Sequence, residues 1–191
     1  MNKRDKVFFW VIISVVVLGM LTRLFGLPSN VSPMLVVILL GAAYIRSKNL
    51  AVVLPLGLFL LVDLYLNNVV YAEFFDGFQL LGDPGVLCSL VIILPLSIFM
   101  LRKVSFARVL ISSFTACILF YLISNFYSML VLPQYTKNFA GLMESYTAAK
   151  PFFRSTLVST MIYAAVFFTS AELYLRRPSL EASSNTETIK A

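Results

Sequence analysis

The sequence contains no histidine, which removes the side chain most often used as a metal ligand and as a general base near neutral pH. It has two cysteines, Cys88 and Cys117, which are too few for a disulfide framework and lack the spacing of a metal site. A phosphate-binding loop of the form GxxxxGK(S/T) is also missing, so ATP hydrolysis by that route is excluded. These absences argue against a soluble metal-dependent or nucleotide-hydrolysing enzyme.

Charge is scarce as well: 13% of the 191 residues are charged, 60% are hydrophobic and the mean hydropathy is +0.90. Soluble domains are close to half apolar and a quarter charged, so this apolar excess indicates a lipid bilayer as the surrounding solvent. The net charge of +6 comes from basic residues scattered in short clusters between apolar runs. Such scattering sets orientation in a membrane rather than forming a phosphate-binding face, so no nucleic-acid partner is expected.

Six apolar runs predict an all-α bundle of six transmembrane helices, which forms a single integral membrane domain over residues 1–177. The predicted spans are 7–21, 31–45, 50–66, 85–101, 106–124 and 155–175. The first span follows a basic segment, as in a signal peptide, but no A-x-A-like cleavage site follows it, so we interpret it as an uncleaved helix. Residues 178–191 are rich in Ser, Thr and Glu and are predicted to be a disordered cytoplasmic tail.

Lysine and arginine are distributed unequally over the two sides of this arrangement. With the N-terminus inside, the cytoplasmic side holds Lys3, Arg4, Lys6, Arg46, Lys48, Arg102, Lys103, Arg108, Arg176, Arg177 and Lys190. The outer side holds Arg23, Lys137, Lys150 and Arg154. By the positive-inside rule both termini are therefore cytoplasmic, and we expect a multi-pass protein of the bacterial inner (cytoplasmic) membrane.

Two long loops fall on the outer side, at about 67–84 and 125–153. The first carries acidic residues among aromatic ones. The second contains four apolar residues with the i, i+3, i+4, i+7 spacing of one helix face, namely Phe139, Leu142, Met143 and Tyr146. They predict an amphipathic outer-loop helix, which either covers the bundle or acts as a lid over a ligand.

Polar residues of the spans gather towards the outer ends of the helices. At about 1.5 Å per residue, Asp63 lies about 20 Å from the cytoplasmic end of its helix, and Asn67 is one turn further out. Asn30 opens the second helix, Asn125 ends the fifth and Arg154 precedes the sixth. Because polar groups inside a membrane usually face a cavity or a partner, we expect a ligand pocket at the outer ends, closed towards the cytoplasm.

The sequence leaves alternatives open for these residues. Asp63 either contacts a ligand or forms a structural ion pair with Arg23 or Arg154. A single Asn at a helix end is commonly a cap or an interfacial group. Cys117, in the middle of the fifth span, is interpreted as a small apolar filler, whereas Cys88 opens a helix beside the predicted pocket and is either a ligand contact or inert packing.

Five stretches carry a resemblance to a known family: Leu27–Pro33, Leu61–Tyr65, Ser124–Tyr127, Ala140–Tyr146 and Pro151–Thr156. With its size, six short helices and outward pocket, the chain resembles the substrate-binding S-components of energy-coupling-factor (ECF) vitamin transporters. It is most similar to the solitary, cobalamin-specific (BtuM-like) subgroup and to related uncharacterised membrane proteins. The resemblance implies a vitamin-binding and uptake protein rather than an enzyme, with cobalamin as the lead transported ligand and no intrinsic cofactor.

The resemblance also implies roles for particular residues. In the cobalamin subgroup a cysteine near the start of the fourth helical region binds cobalt, and Cys88 stands at the comparable place, so Cys88 is the candidate cobalt ligand. A soft thiolate suits such a centre. The candidate ligand-binding residues are Cys88, Asp63, Asn67, Asn30, Asn125, Tyr127 and Arg154.

Two points remain open in this interpretation. The first helix has no alanine and so lacks the docking signature by which S-components bind the ECF energising module, so the chain either docks through other small residues such as Gly41–Ala43 or acts without the module. The alternatives are an S-component for a different vitamin or precursor, and a structural or assembly subunit of an envelope membrane complex.

Overall fold

The computed structural model describes residues 3–25 and 31–176, and its regular structure over these ranges is entirely helical. The α-helices are α1 (Lys3–Leu21), α2 (Met34–Tyr44), α3 (Lys48–Tyr65), α4 (Pro84–Met100), α5 (Phe106–Val131) and α6 (Phe139–Arg176). The predicted all-α class with six helices is confirmed. Asn30 and the predicted tail at 178–191 lie outside the described residues.

Four of these helical segments are long and apolar enough to cross a membrane: Phe8–Phe25, Lys48–Val70, Phe106–Val131 and Phe139–Leu175. The chain is therefore a membrane protein. The other two helices are shorter, with 11 residues in α2 and 17 in α4. At about 1.5 Å per residue α2 is about 16 Å long, which is about half the hydrocarbon thickness of a bilayer.

The short helix α2 lies at the centre of the bundle. It contacts all five other helices, and every residue from Met34 to Ala42 is buried. A helix surrounded by protein needs no polar face, which explains why its sequence is apolar without a helical period. The sequence alone does not distinguish such a core helix from a lipid-exposed span, and the predicted span 31–45 is longer than the helix observed.

The predicted outer segment 125–153 is mostly helix, so the predicted end of the fifth helix at 124 and the predicted start of the sixth at 155 were wrong. Helix α5 continues to Val131 and α6 begins at Phe139. Lys137 caps the C-terminal end of α5, since its Nζ donates to the carbonyl oxygens of Met129 and Leu132, each at 2.6 Å. Asn138 then caps α6 by accepting a hydrogen bond from the backbone N–H of Gly141 at 3.0 Å.

The predicted amphipathic outer helix is the first part of the 38-residue α6, not a separate element. Of the four apolar residues of the predicted face, Phe139 is 75% exposed and Met143 41%, whereas Leu142 and Tyr146 are half-buried. The buried positions are Gly141, Ser145 and Ala149, at spacing i, i+4, i+8. Small residues at these positions allow α6 to approach α5 closely, and the half-buried Tyr146 packs beside them against Tyr121 of α5.

Close packing between α1 and α2 gives a test of the fold. A Cβ atom added at Gly19 would lie 2.4 Å from Cγ2 of the fully buried Val37. Gly57 also lies within a helix, but a Cβ atom there would meet no other atom within 4 Å.

We expect Gly19→Ala to lower the stability of the protein. Overpacking costs about 1–3 kcal/mol, which outweighs the gain of about 1 kcal/mol from the higher helix propensity of alanine. The matched control Gly57→Ala should leave stability unchanged or raise it. Thermal unfolding midpoints in one detergent measure both changes. Equal midpoints for the two variants would contradict the observed α1–α2 packing.

Candidate functional site

Asp63 is the centre of a hydrogen-bonded cluster near the C-terminal end of α3. The positive-inside rule predicts that this end of the bundle faces outwards, and we call it the outer end. Asp63 is buried, with 6% of the residue exposed, and its Oδ1 accepts a hydrogen bond from Nη2 of Arg23 at 3.0 Å. Its Oδ2 accepts from Nδ2 of Asn67 and from the backbone N–H of Gly82, both at 3.0 Å. Of the alternatives left by the sequence, the ion pair with Arg23 is the one observed.

Directly after Asp63, α3 changes into a π-helical turn, Leu66–Val70. Asn68 in this turn donates to the carbonyl oxygen of Gln79 at 2.7 Å and accepts from the Gln79 N–H at 2.9 Å. These two bonds fold the outer loop back over the end of α3. A Cβ atom at Gly82 would lie 2.6 Å from Oδ1 of Asn67, so the close return of the loop requires a glycine there.

Arg23 keeps an unused donor in this cluster. Its guanidinium lies over the ring of Phe59, with 4.7 Å between Cζ and the ring centroid. Its Nη1 is buried and has no hydrogen-bond partner among the residues that the structure describes. Because an unpaired buried donor is costly, this nitrogen is a natural position for a bound water or a ligand oxygen.

Beside this cluster lies a cavity of about 160 Å³, between the start of α4 and the outer halves of α5 and α6. Its polar lining residues are Asp83, Tyr121, Ser124, Asn125, Ser128 and Thr156. Its other lining residues are Val86, Cys117, Phe120, Ala149, Phe152 and Phe153. We call it the outer cavity.

The polar lining of the outer cavity consists mainly of hydrogen-bond acceptors. The hydroxyl groups of Ser124, Ser128 and Thr156 each donate to a carbonyl oxygen four residues earlier, at 2.6, 3.0 and 3.0 Å. Each hydroxyl has only one proton to donate, so what remains for a ligand is an oxygen lone pair. The cavity is therefore suited to a ligand that donates hydrogen bonds.

Asp83 supplies the negative charge of the outer cavity. It is the N-cap of α4, where its Oδ1 accepts a hydrogen bond from the backbone N–H of Gly85 at 2.8 Å. Burial raises the pKa of Asp83 above its ordinary value of 3.8, and the nearby Asp63 carboxylate raises it further, against the opposing effect of the Gly85 and Val86 amides. A positively charged ligand would offset this destabilised charge.

The structure places the candidate residues in several locations. Of them, Asn125 lines the outer cavity, while Asp63 and Asn67 belong to the neighbouring cluster. Tyr127 packs on α4, since a Cβ atom at Gly85 would lie 2.7 Å from the Cβ of Tyr127.

Two other candidates lie apart from the outer cavity. Cys88 is exposed on α4 and is not among the lining residues. Arg154 is exposed on α6, in a shallow outer depression with Val31 and Lys150. The residues in the described ranges form no group of three or more Cys, Asp or Glu that could hold a metal ion, so a role of Cys88 towards cobalt stays a prediction.

Sequence reasoning missed Asp83, Ser124, Ser128 and Thr156 as site residues. Asp83 did carry a signal, because Asp-Pro-Gly at 83–85 is a typical helix start with an acidic cap. The four-residue spacing of Ser124 and Ser128 on α5 was a second signal, since it places both on one helix face. Thr156 carried none, as only the packing of α6 on α5 brings it to the cavity.

These features define a polytopic, all-helical membrane protein with a small acceptor-rich cavity at the end of the bundle where α4 begins. The chain belongs to a protein family of unknown function, DUF6580, which it matches over residues 3–182. No curated protein and no solved structure matches it.

The Asp63 cluster should be essential for the outer loop. Asp63→Ala leaves the largely buried Arg23 without its counter-ion, which typically costs about 3–5 kcal/mol. It also frees Gly82, so the loop should become sensitive to chymotrypsin, which cuts at aromatic residues such as Phe74 and Phe78. Thermal unfolding and limited proteolysis of the detergent-purified protein measure the two effects.

The matched control is Glu73→Ala, because Glu73 is an exposed carboxylate in the same loop. Replacing both charges, as Asp63→Leu with Arg23→Met, should recover part of the stability. If Asp63→Ala behaves like Glu73→Ala, the cluster does not hold the loop.

Proposed function

We propose that this chain is a vitamin-binding and uptake protein of the S-component kind, which captures a small ligand at the outer side of the bacterial inner membrane. The observation that carries the proposal is the outer cavity with its acceptor-rich lining. The function proposed is binding rather than catalysis, since Asp83 is the one ionisable carboxyl group among its lining residues.

The distribution of basic residues supports an outward-facing cavity. The α2–α3 turn with Arg46 and Lys48, and the α4–α5 turn with Arg102, Lys103 and Arg108, belong to the cytoplasmic side by the positive-inside rule. The end of the bundle with the outer cavity is the opposite one. Cys117, the lining residue nearest the middle of α5, is fully buried, which supports a cavity that is closed towards the cytoplasm.

The size of the outer cavity limits the ligand. A cavity of about 150 Å³ holds a benzene-sized molecule, whereas pockets for drug-sized ligands run from about 300 to 1,000 Å³. Phe120 and Phe153 provide aromatic walls, which favour a flat or cationic group. We therefore propose a one-ring vitamin or vitamin precursor that carries an amine or another positively charged donor.

Cobalamin, the ligand implied by the resemblance, is much larger than this cavity. Binding it would require the outer loop and the start of α6 to move apart, and Cys88 would have to contact it outside the present lining. The small-ligand form of the proposal therefore fits the geometry better, and cobalamin belongs in the binding tests as the alternative ligand.

A structural or assembly subunit is the second candidate. The Asp63 cluster favours it in one respect, because its carboxylate is satisfied by three donors from the chain itself and does not require a ligand. A scaffold would lose stability when its partner is missing but would not respond to cavity substitutions.

The test is ligand-induced thermal stabilisation of the detergent-purified protein, followed by calorimetry on the ligands that stabilise it. The panel includes cationic ligands (thiamine, pyridoxamine), neutral ones (nicotinamide, riboflavin), anionic ones (pantothenate, nicotinate) and cobalamin. We expect a cationic one-ring ligand to bind most tightly. Asp83→Asn should lower the affinity for this ligand about tenfold, which corresponds to about 1.4 kcal/mol of binding free energy. Asn is also a good N-cap, so α4 should be retained.

Asp76→Asn is the matched control, because Asp76 is an exposed carboxylate of the same loop, and it should leave the affinity unchanged. Failure of every ligand to bind a monodisperse protein would overturn the proposal and favour the scaffold. Corrinoid that co-elutes with the wild type but not with Cys88→Ala would instead establish cobalamin.

Binding of the cationic ligand should also depend on pH. As the pH falls through the raised pKa of Asp83, the carboxylate is protonated and loses the charge that attracts the ligand. Affinity should therefore decline at a pH above that at which an ordinary Asp titrates, and the decline should be absent in Asp83→Asn. Calorimetry of both proteins over a pH series measures this, and identical profiles would exclude Asp83 as the ligand's counter-ion.

A further inference from the structure

A second groove, of about 510 Å³, lies at the opposite end of the bundle, where α4 ends and α5 begins. Its lining residues are Phe99, Met100, Arg102, Lys103, Arg108, Ile111 and Ser112. We call it the basic groove. The positive-inside rule assigns this end to the cytoplasmic leaflet, so the groove lies where lipid headgroups meet water.

The basic groove carries three positive charges within a few residues. Arg102 lies over the ring of Phe99, with 4.8 Å between Cζ and the ring centroid, and Nη1 of Arg108 donates to the Met100 carbonyl oxygen at 3.4 Å. In the part of the chain that the structure describes, the ion pair found is Arg23–Asp63, at the other end of the bundle. The cations of the groove thus have no carboxylate partner there.

Ser112 gives an independent indication of a ligand. It lies one helical turn after Arg108 on the same face of α5, lines the groove and is only 2% exposed. Its Oγ is buried and has no hydrogen-bond partner among residues 3–25 and 31–176. Most buried Ser hydroxyls in α-helices donate to the carbonyl four residues earlier, so an unpaired one beside three cations indicates a missing acceptor.

We propose that the basic groove binds an anionic phospholipid of the cytoplasmic leaflet. Arg102, Lys103 and Arg108 surround its phosphate, and the Ser112 hydroxyl donates to a phosphate or ester oxygen. The apolar side of the groove, formed by Phe99 and Ile111, accommodates the start of an acyl chain. Basic pockets between transmembrane helices on this side of a membrane suit such headgroups.

The choice of a lipid over free phosphate follows from the chemistry of the lining. A soluble anion would use only the cations, whereas this groove joins them to exposed apolar side chains, with Phe99 61% and Ile111 56% exposed. A molecule that is charged at one end and apolar at the other satisfies both. The proposal depends on the membrane orientation and not on the identity of the ligand in the outer cavity.

The test uses native mass spectrometry of the delipidated full-length protein with phosphatidylglycerol and phosphatidylcholine as competing probes. We expect phosphatidylglycerol to be retained with about a tenfold preference. Arg102→Gln with Lys103→Gln should reduce that preference to near parity. The matched control, Arg46→Gln with Lys48→Gln, removes two exposed charges from the neighbouring cytoplasmic turn and should leave the preference intact.

Ser112→Ala separates a binding role from a structural one. Without anionic lipid it should be neutral or stabilising, because it removes an unpaired buried hydroxyl. With phosphatidylglycerol it should show a smaller increase in unfolding temperature than the wild type. Together these two shifts distinguish loss of a lipid contact from damage to the fold.

Three results would overturn the proposal. The first is an equal loss of preference in both double variants, which indicates diffuse surface charge. The second is a phosphatidylglycerol response of Ser112→Ala that equals that of the wild type. The third is displacement of the lipid by inorganic phosphate at equal concentration, which indicates a site for a free anion.

Discussion

The desolvated carboxylate of Asp63 is the interaction on which the outer end of the protein depends. A charge buried in a membrane protein costs several kcal/mol unless it is paired and hydrogen-bonded. Its three donors come from three chain segments: the turn after α1, the π turn after α3 and the loop before α4. Satisfying one carboxylate therefore fixes the outer ends of three helices relative to one another. Asp83 follows Gly82 directly, so the same constraint places it in the outer cavity.

Asp63 and Asp83 are neighbouring carboxylates in different environments, and the difference separates the structural role of Asp63 from the binding role proposed for Asp83. Asp63 has Arg23 as counter-ion, whereas Asp83 has two backbone amides and the repulsion of Asp63. Arg23 thus neutralises Asp63, which holds the loop, but not Asp83, which lines the cavity. A cationic ligand would neutralise the charge of Asp83 as Arg23 neutralises that of Asp63.

Sequence reasoning could predict what depends on long apolar runs and charge: the helical class, six helices and the Asp63–Arg23 pair as one of three alternatives. It could not predict where α5 and α6 end, because hydropathy detects the lipid-crossing part of a helix and not its continuation into water. The packed face of α6 was also hidden, since Gly141, Ser145 and Ala149 are individually unremarkable. The hydroxyl groups that line the outer cavity donate hydrogen bonds within their own helices, and only tertiary packing brings them together.

Helix α5 connects two sites of opposite electrostatic character. Near its first turn, Arg108 and Ser112 face the basic groove, and near its last turns Ser124 and Asn125 face the outer cavity. The two sites differ in what it costs to leave them empty. Exposed cations at a membrane surface remain hydrated and cost little, whereas the half-buried Asp83 carries part of the cost of desolvation continuously. Ligand binding to the outer cavity would therefore relieve an existing penalty, and this makes that cavity the better candidate for the selected function of the fold.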